Sequence, residues 1–516
     1  MTPGPATFSC VHRTAFGSPL VPEVKINMNR SSAALAPKVL QIEALPAVLT
    51  ALEAHALQQY VVPPMHLARG DAATALAAAP HRLQGTFSLG GQEQFYLEGQ
   101  ISYAIPQEDG GLLVHCSTQH PSEMQQVVAH ALGLAGHRVQ VQCRRMGGGF
   151  GGKETQAGHL AVWAALAAHK FGRPVKMRLD RGDDILITGK RHPFSHDWQV
   201  GFDAQGRVLG LDSVQLAHCG HSADLSGPVA DRAIFHTDNA YYLSDLHITS
   251  HRCKTHTQSH TAFRGFGGPQ GVVVIEAILG DIARYLGQDA LDVRMRNLYS
   301  DEALTDQGTG GPHAVLRRDT THYQMKVEDN ILAPLLGTLE ATSNYRQRRA
   351  DIAAWNAQSP ILKRGLAITP VKFGISFTAT LFNQAGALVH VYLDGSVRIH
   401  HGGTEMGQGL HTKVCGLVAR VLGLPAAPLM HGTGFVFAAT ILNRGGAIVT
   451  LPGLSFDVNR LLDTMTEERV TDLCIVGDAF CRPMVDALDA KPARWDLSGL
   501  KVVSSSGMAW SAAVKE

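Results

Sequence analysis

Cysteines at ligand spacing are missing from this chain. Its 516 residues include 8 cysteines, and no two of them form a Cys-x-x-Cys pair. Iron–sulfur clusters and structural zinc sites need several thiolates at short spacing, and the 26 histidines include no His-Glu-x-x-His segment. We therefore expect reduced, buried thiols and no metal site built from cysteine or histidine.

An excess of charge of either sign is missing as well. The chain has 45 Lys and Arg against 44 Asp and Glu, which gives a formal net charge of +1. Proteins that bind nucleic acid or an anionic membrane surface usually carry a basic excess, so we expect neither partner. Small molecules and protein subunits are the expected partners.

Long apolar runs are absent too. No stretch reaches the roughly 18 residues that a transmembrane helix needs, and the first residues lack the uninterrupted apolar core of a signal peptide. We therefore expect a cytoplasmic protein. With 45% hydrophobic residues, a chain of this length predicts a globular protein with more than one domain.

The residues that are present alternate between short strand-like and longer helix-like patterns, which predicts a mixed α+β and α/β fold. Alternation at 100–105 predicts a strand, and apolar spacing at 155–171 and 271–286 predicts helices. Residues 388–400 alternate on both sides of an Asp-Gly dipeptide, a pattern typical of a β-hairpin. Residues 1–41 show no sustained period and form an unassigned leader.

The pattern changes after a proline-rich stretch at 425–428, which is typical of a domain linker. Beyond it, residues 429–451 and 457–476 each predict a helix followed by a strand. The end of the chain is therefore predicted to be an α/β segment of its own.

The most informative segment is GGGFGGKE at 147–154. It approaches the nucleotide-binding P-loop pattern, but Glu154 stands where that motif needs the hydroxyl that holds Mg²⁺. ATP binding is therefore disfavoured. A glycine-rich backbone can still approach a bulky polar cofactor closely, because glycine has no side chain and tolerates positive φ. Glu154 then offers an acid, a base or a hydrogen-bond acceptor beside it.

Further glycine-rich segments with Gln, Glu or Arg occur at 90–98, 263–271 and 402–410. One such segment alone is usually a turn, and unrelated turns are the alternative interpretation. Together with 147–154 they indicate one extended ligand held by backbone N–H groups and side-chain amides. Arginine and phenylalanine nearby suit a planar substrate.

From about Ile42 to Leu424 the chain resembles the molybdenum-cofactor-binding subunit of bacterial xanthine dehydrogenases. The resemblance is carried, in order, by GGQEQFYLE, STQHPSEMQ, RRMGGGFGGKETQ, LDRGDDILITGKRHPF, TAFRGFGGPQGVV, KFGISF and GGTEMGQGLHTK. It implies a molybdopterin cofactor whose molybdenum centre hydroxylates a carbon of a purine with water as the oxygen source. It also implies a hetero-oligomer, in which electrons leave through iron–sulfur clusters and FAD on a partner subunit.

The same resemblance implies the cofactor-side residues. Gln92 would hydrogen-bond the apical oxo ligand without ligating the molybdenum, and the backbone of Phe150 and Gly151 would lie beside the ligands of the metal. Arg264 resembles another residue of the family whose backbone lies near the cofactor. Gln408 would bind the pterin side.

Four residues resemble the substrate side of the family. Glu154 and Arg232 would anchor and polarise the purine, stabilising negative charge that develops on the ring. Phe266 and Phe377 would clamp its flat faces. Related aldehyde oxidases usually have apolar residues in place of the glutamate and arginine, so xanthine or hypoxanthine is indicated. Taken singly, the phenylalanines would more often be core residues and the arginine a paired charge.

The resemblance also implies domains and departures. Residues 42–85 would be a remnant of a hammerhead-like domain, 86–325 the first molybdopterin-binding domain and 326–426 a truncated second one. The family's general base, a glutamate in a Gly-Glu-Pro segment, has no counterpart in this sequence. The chain is therefore expected to be inactive or impaired.

Residues 427–516 resemble a different family, the AMP-forming acyl-CoA synthetases. The loop at 505–509 matches the adenine-side segment of that family, but the upstream phosphate loop is absent. This implies a partial α/β adenylate-forming segment and a chimera of two truncated enzymes. A ligase fragment and a non-catalytic subunit that occupies the partner interface remain the alternative functions.

Overall fold

A computed structural model describes the backbone of residues 8–10, 24–27, 41–44, 46–304, 316–393, 395–423, 446–447, 449, 456–475 and 478–505. It divides into two compact units, residues 1–385 and 386–516. No helix in these described ranges is long and apolar enough to cross a membrane.

The first unit begins with three short strands, β1 (Phe8–Cys10), β2 (Val24–Asn27) and β3 (Gln41–Ala44). They pair in antiparallel fashion, with β1 and β2 inside the segment 1–41, for which the sequence predicts no element, and β3 at its end. Short strands without a sustained period-2 pattern give no sequence signal, because that signal depends on several alternating residues in a row.

A five-stranded sheet dominates this unit. Its strands lie in the order β4, β12, β11, β10, β5, and their bounds are β4 (Tyr60–Arg69), β5 (His81–Leu89), β10 (Phe194–Phe202), β11 (Val208–Gly220) and β12 (Leu246–Lys254). Only the β11–β12 pair is parallel. Trp198, Val200 and Phe202 alternate along β10 and face the main apolar core, as the period of a strand requires.

Helices cover both faces of this sheet. The core face packs against α7 (Gly268–Leu286), which contains the helix predicted at 271–286. Its start three residues earlier fits Pro269 at the beginning of the helix, where no N–H partner is lost. Short helices α1 (Ala51–Ala56) and α2 (Ala72–Ala78) contact the strands from the other side.

A four-stranded sheet forms a second layer, in the order β8, β7, β6, β9. Its strands are β6 (Ile101–Pro106), β7 (Leu112–Cys116), β8 (Val139–Gln142) and β9 (Val175–Arg178), and its helices are α3 (Pro121–Leu132) and α4 (Gly158–Phe171). The predicted strand at 100–105 and helix at 155–171 are confirmed. Alanines line the buried face of α4, and their small side chains let it lie close to the sheet.

The described part of the first unit contains further elements. They are α5 (Arg181–Ile187), α6 (Ser226–Phe235), α8 (Ala290–Asn297), β13 (Ser300–Leu304), β14 (Leu316–Arg318), α9 (Leu332–Thr342) and α10 (Tyr345–Gln358). After α10 the chain is irregular through 359–379, and this stretch carries Phe377.

The second unit begins with the predicted hairpin. Strands β15 (Ala387–Val391) and β16 (Val397–His401) pair in antiparallel fashion, and α11 (Leu410–Leu422) follows. Further on lie α12 (Val458–Glu467), β17 (Asp472–Ile475), α13 (Asp478–Ala490) and β18 (Val502–Ser505).

The helix and strand predicted within 457–476 are confirmed, and Asp457 caps the helix by accepting from the backbone N–H groups of Asn459 and Arg460. Strands β17 and β18 are parallel, with α13 between them in the chain. The helix and strand predicted at 429–451 fall almost wholly outside the described residues, as do positions 506–509 of the loop predicted to be the adenine-side segment.

Candidate cofactor and substrate site

The glycine-rich loop at 147–154 is held against the loop that contains Arg264. The Gly151 N–H donates to Gln119 Oε1 at 2.8 Å, and the Arg264 N–H donates to the Phe150 carbonyl at 2.9 Å. Gly151 has φ +98°, and a Cβ there would lie 2.8 Å from the Ala262 carbonyl. Only glycine permits both this conformation and this close approach.

Lys153 turns inward from the same loop. Its side chain is fully buried, and its Nζ donates to the Glu98 carbonyl at 2.6 Å and to Ser117 Oγ at 2.9 Å. Burial lowers the pKa of Lys153 to about 8. A P-loop lysine would reach outward to phosphates, so the position of Lys153 also argues against nucleotide binding.

Gln92 lies in a third glycine-rich segment that meets the other two. Its Oε1 accepts from Arg191 Nε at 2.6 Å, and Arg191 Nη2 donates to the Arg264 carbonyl at 2.7 Å. The Gln94 amide donates to the Ala262 carbonyl at 2.9 Å. The structure therefore brings the segments at 90–98, 147–154 and 263–271 together within the first unit.

Glu154 occupies a half-buried position at the end of the glycine-rich loop. Burial raises its pKa to about 7, with further contributions from the negative charges of Asp224 and Glu123. No described hydrogen bond involves its carboxylate. Near neutral pH the group is therefore divided between its protonated and ionised forms, and it can donate or accept a hydrogen bond.

Asp224 ties Glu154's neighbours to the rest of the site. Its carboxylate accepts from Thr155 Oγ1 at 2.9 Å, from Gln156 Nε2 at 2.6 Å and from Thr261 Oγ1 at 3.0 Å. Burial raises the pKa of Asp224 despite these bonds. Sequence reasoning missed Asp224, because its partners are 37 or more positions away and a lone aspartate carries no motif.

Arg232 lies on α6 with 3% of its surface exposed. Its Nη1 donates to the Gly374 carbonyl and its Nη2 to the Ser376 carbonyl, with a longer contact of 3.4 Å to the Ile375 carbonyl. The guanidinium carbon also lies 5.5 Å from the centre of the Phe266 ring. Arg232 therefore reaches the expected aromatic residue, but its two Nη groups are bound by backbone.

Phe266 and Phe377 are brought into contact. Their ring centres are 5.6 Å apart with an angle of 52° between the planes, and both side chains are half-buried. Asn383 fixes the Phe377 backbone, accepting from its N–H at 2.7 Å and donating to its carbonyl at 2.8 Å. Partial exposure distinguishes the pair from ordinary core residues.

Gln408 belongs to the second unit, in the loop between β16 and α11. Its amide bonds within the loop, accepting from the Met406 N–H at 2.7 Å and donating to the Thr404 carbonyl at 2.9 Å. The Glu405 carboxylate accepts from the N–H groups of Gly407 and His411 at 2.9 and 3.2 Å. Burial alone would raise the pKa of Glu405. The hydrogen bonds from these and neighbouring N–H groups outweigh burial, so the pKa is lowered.

Arg191 is a second residue to which sequence reasoning gave no role. It is 6% exposed, and its Nη1 has no hydrogen-bond partner among the described residues. Burial lowers its pKa to about 10. The sequence signal that could have indicated a role for Arg191 is its place in the segment LDRGDDILITGKRHPF. Its pairing with Gln92 could not be predicted, because the two residues are 99 positions apart.

Two family models match the chain. Residues 54–298 match a molybdopterin cofactor-binding domain, and residues 338–430 match a second model with the same description. These ranges make up more than half of the chain. The chain belongs to the molybdopterin cofactor-binding family. The molybdopterin cofactor implied by the sequence motifs is thereby confirmed at the level of the domain.

Similar curated proteins include xanthine dehydrogenases. The chain is 44% identical over 368 residues to xanthine dehydrogenase of Drosophila subobscura, covering 71% of this chain and 26% of that protein. It is 43% identical over 391 residues to xanthine dehydrogenase/oxidase of Gallus gallus, covering 76% and 28%. The chain thus spans about a quarter of the length of these relatives.

Solved structures share the fold. Quinoline 2-oxidoreductase from Pseudomonas putida 86 superposes with a TM-score of 0.62 at 23% identity, covering 75% of this chain and 50% of that one. A reconstituted CO dehydrogenase from Oligotropha carboxidovorans superposes with a TM-score of 0.60 at 19% identity, covering 75% and 51%. The mixed α/β fold predicted from the sequence is confirmed for the matched part.

Proposed function

We propose that this chain is part of a molybdenum hydroxylase that oxidises a purine, xanthine or hypoxanthine. The contact between Phe266 and Phe377 carries the proposal, because two half-buried rings from separate segments form a wall suited to a flat substrate. Relatives at 43 and 44% identity are named xanthine dehydrogenases, which supports the same substrate class.

Molybdenum–molybdopterin, when bound, supplies the hydroxylation chemistry and accepts the electron pair that leaves the purine. The residues fit such a group. Arg191 is a buried guanidinium with an unpartnered Nη1, and no described carboxylate forms an ion pair with it. A buried cation of this kind favours an anionic ligand nearby. We assign Gln92, the Phe150–Gly151 backbone, the Arg264 backbone and Gln408 to the cofactor.

The substrate-side residues of this chain each have a defined task in the proposal. Glu154 in its protonated form donates a hydrogen bond to a purine ring nitrogen or carbonyl, and in its ionised form it accepts one from a ring N–H. Arg232 stabilises negative charge on the ring as it develops. Phe266 and Phe377, whose ring centres are 5.6 Å apart, pack against the purine as one apolar wall and shield that side of it from water.

Two requirements fall outside this chain in the proposal. Electrons leave through iron–sulfur clusters and FAD on a partner subunit in a cytoplasmic hetero-oligomer. The proton on the attacking oxygen needs a base, and the sequence has no Gly-Glu-Pro segment to supply it. Acid–base catalysis typically contributes about 10² to 10⁴ in rate, so we expect this chain alone to turn over purine weakly or not at all.

The test is purification of the full 516-residue chain from a host that makes molybdopterin but has no intact homologue. We expect molybdenum and pterin in equal amounts in the protein, measured by mass spectrometry of the metal and by pterin fluorescence. Xanthine-dependent dye reduction should be weak. Protein free of both molybdenum and pterin would contradict the cofactor assignment. Rapid turnover of xanthine would contradict the claim that this chain lacks the catalytic base.

We also propose that residues 427–516 are an acyl-CoA-synthetase-like piece without ligase activity. The parallel pair β17 and β18, connected through α13, favours an α/β segment of this kind. ATP-dependent pyrophosphate release with fatty acids would contradict the absence of activity. A non-catalytic subunit would instead capture the iron–sulfur and FAD subunits in a pull-down while carrying no molybdenum.

A further inference from the structure

Arg191 joins two of the glycine-rich segments through one guanidinium. Its Nε donates to Gln92 Oε1 at 2.6 Å, its Nη2 donates to the Arg264 carbonyl at 2.7 Å, and its backbone N–H donates to the Gln92 carbonyl at 3.0 Å. The guanidinium carbon lies 4.2 Å from the centre of the Phe263 ring. These contacts fix both the guanidinium and the residue that it holds.

The pairing determines which end of the Gln92 amide faces away from Arg191. A guanidinium has donors and no acceptor, so only the amide oxygen can face it. The Gln92 side chain is exposed, and its NH₂ group takes part in no described hydrogen bond. Both N–H groups are therefore left to donate to a group outside the protein.

We propose that Arg191 is a positioning residue that presents the Gln92 amide as a hydrogen-bond donor to the anionic or oxo-bearing part of the cofactor. The inference rests on the proposed function for the identity of the ligand. Residues that orient ligand-contacting groups commonly change affinity about 10- to 100-fold when they are replaced.

The alternative is a merely structural role, in which Arg191 only ties the segments at 90–98 and 263–271 together. The two roles predict different results for Gln92→Glu. A carboxylate keeps an oxygen for Arg191 and adds charge attraction, so the fold without cofactor should be unharmed. Its second oxygen would face the ligand as an acceptor, and the ligand would be repelled.

The experiment uses the full chain from a molybdopterin-producing host. We expect Q92E to lower molybdenum and pterin content about 10-fold or more, while the thermal midpoint of the cofactor-free protein stays at or above that of wild type. The matched control is Gln205→Glu at an exposed turn, which should change neither. Wild-type cofactor content in Q92E would overturn the proposal.

Arg191→Met tests the positioning residue itself. We expect a similar loss of cofactor, and the double variant R191M/Q92A should lose no more than either single variant, because both remove one interaction. Arg318→Met is the control, since Arg318 is also buried and stacks on Tyr242. Cofactor content in R191M equal to that in R318M would overturn the proposal.

Failure of the proposed function has a separate signature. If the wild-type chain carries neither molybdenum nor pterin, the cofactor assignment fails. The thermal midpoints of cofactor-free wild type, Q92A, R191M and the double variant then test the pairing of Arg191 with Gln92, on which the positioning claim depends. Additive effects would overturn the claim, and a non-additive effect would support the pairing.

Discussion

Glu154 is unusual at the scale of single residues because it is a half-buried carboxyl without a cation or a hydrogen-bond donor beside it in the described structure. Its nearest electrostatic influences, Asp224 and Glu123, are also negative. Burial and like charge both penalise the ionised form. The residue therefore destabilises the fold when it ionises, which is common for groups kept for function rather than stability.

This has a pH-dependent consequence for Glu154→Gln. The folded pKa, about 7, is above the ordinary value of 4.5, so wild type loses stability as the pH rises between these values. We expect E154Q to be more stable than wild type by about 3 kcal/mol at pH 8 and nearly equal to it at pH 4.5, by urea unfolding. The exposed control E108Q should show no such difference, and equal stabilities at pH 8 would contradict the raised pKa.

The motif around Glu154 predicts a role for it, which remains a prediction, but the environment of Glu154 could not be predicted from the sequence. Asp224 contributes most of the hydrogen bonds that hold Thr155 and Gln156, and it approaches from the segment before α6. A contact of this kind depends on how distant segments fold together. Arg191 and Gln92 illustrate the same limit, because they are 99 positions apart and nothing in the sequence around either residue indicates that they pair.

At the scale of elements, the conformation of the glycine-rich loop at 147–154 depends on Gly151. We expect Gly151→Ala to destabilise the protein by about 2 kcal/mol or more, because it combines a positive φ with a Cβ that would meet the Ala262 carbonyl. Gly172 is the matched control. It has φ +61° at the end of α4, and nothing lies within 4 Å of an added Cβ.

Gly172→Ala should therefore cost only the conformational part, about 1 kcal/mol. Thermal and urea unfolding of both variants measure the difference. If the two glycine variants were equally stable, the close approach of the loops at 147–154 and 263–271 would add nothing to the loss of stability in Gly151→Ala.

Elements with long periodic patterns were predictable, and short or irregular ones were not. The helix predicted at 155–171 exists but begins at Gly158. The residues before it, Thr155 and Gln156, are turned towards Asp224 instead. Local periodicity cannot anticipate a tertiary hydrogen bond that competes for the first turn. Phe377, the proposed clamp residue, lies in an irregular segment, and only its motif indicated a role.

At the scale of the whole molecule, the two units differ in how well they bury apolar side chains. The hairpin of β15 and β16 is exposed along β15, and Leu388, Val391 and the following Leu393 have relative accessibilities of 57, 65 and 110%. Helix α11 has no buried residue. Such surfaces promote association.

A chain that ends at Ala385 should therefore remain folded and aggregate less than the full chain. We expect it to bind less of the dye ANS per molecule and to stay monomeric at higher concentration, by light scattering. Its thermal midpoint should match the transition of the first unit in the full chain. Loss of folding on this truncation would show that the second unit is needed to stabilise the first.

Arg232, which we propose faces the substrate, holds the segment at 374–376 by donating to its carbonyls. A ligand that accepts from the Nη groups of Arg232 competes with those carbonyls, so its measured affinity is the difference between two sets of contacts. The same exchange would free the backbone just before Phe377. Binding of a ligand to Arg232 is therefore linked to the order of the wall formed by Phe266 and Phe377, and a change in one should be accompanied by a change in the other.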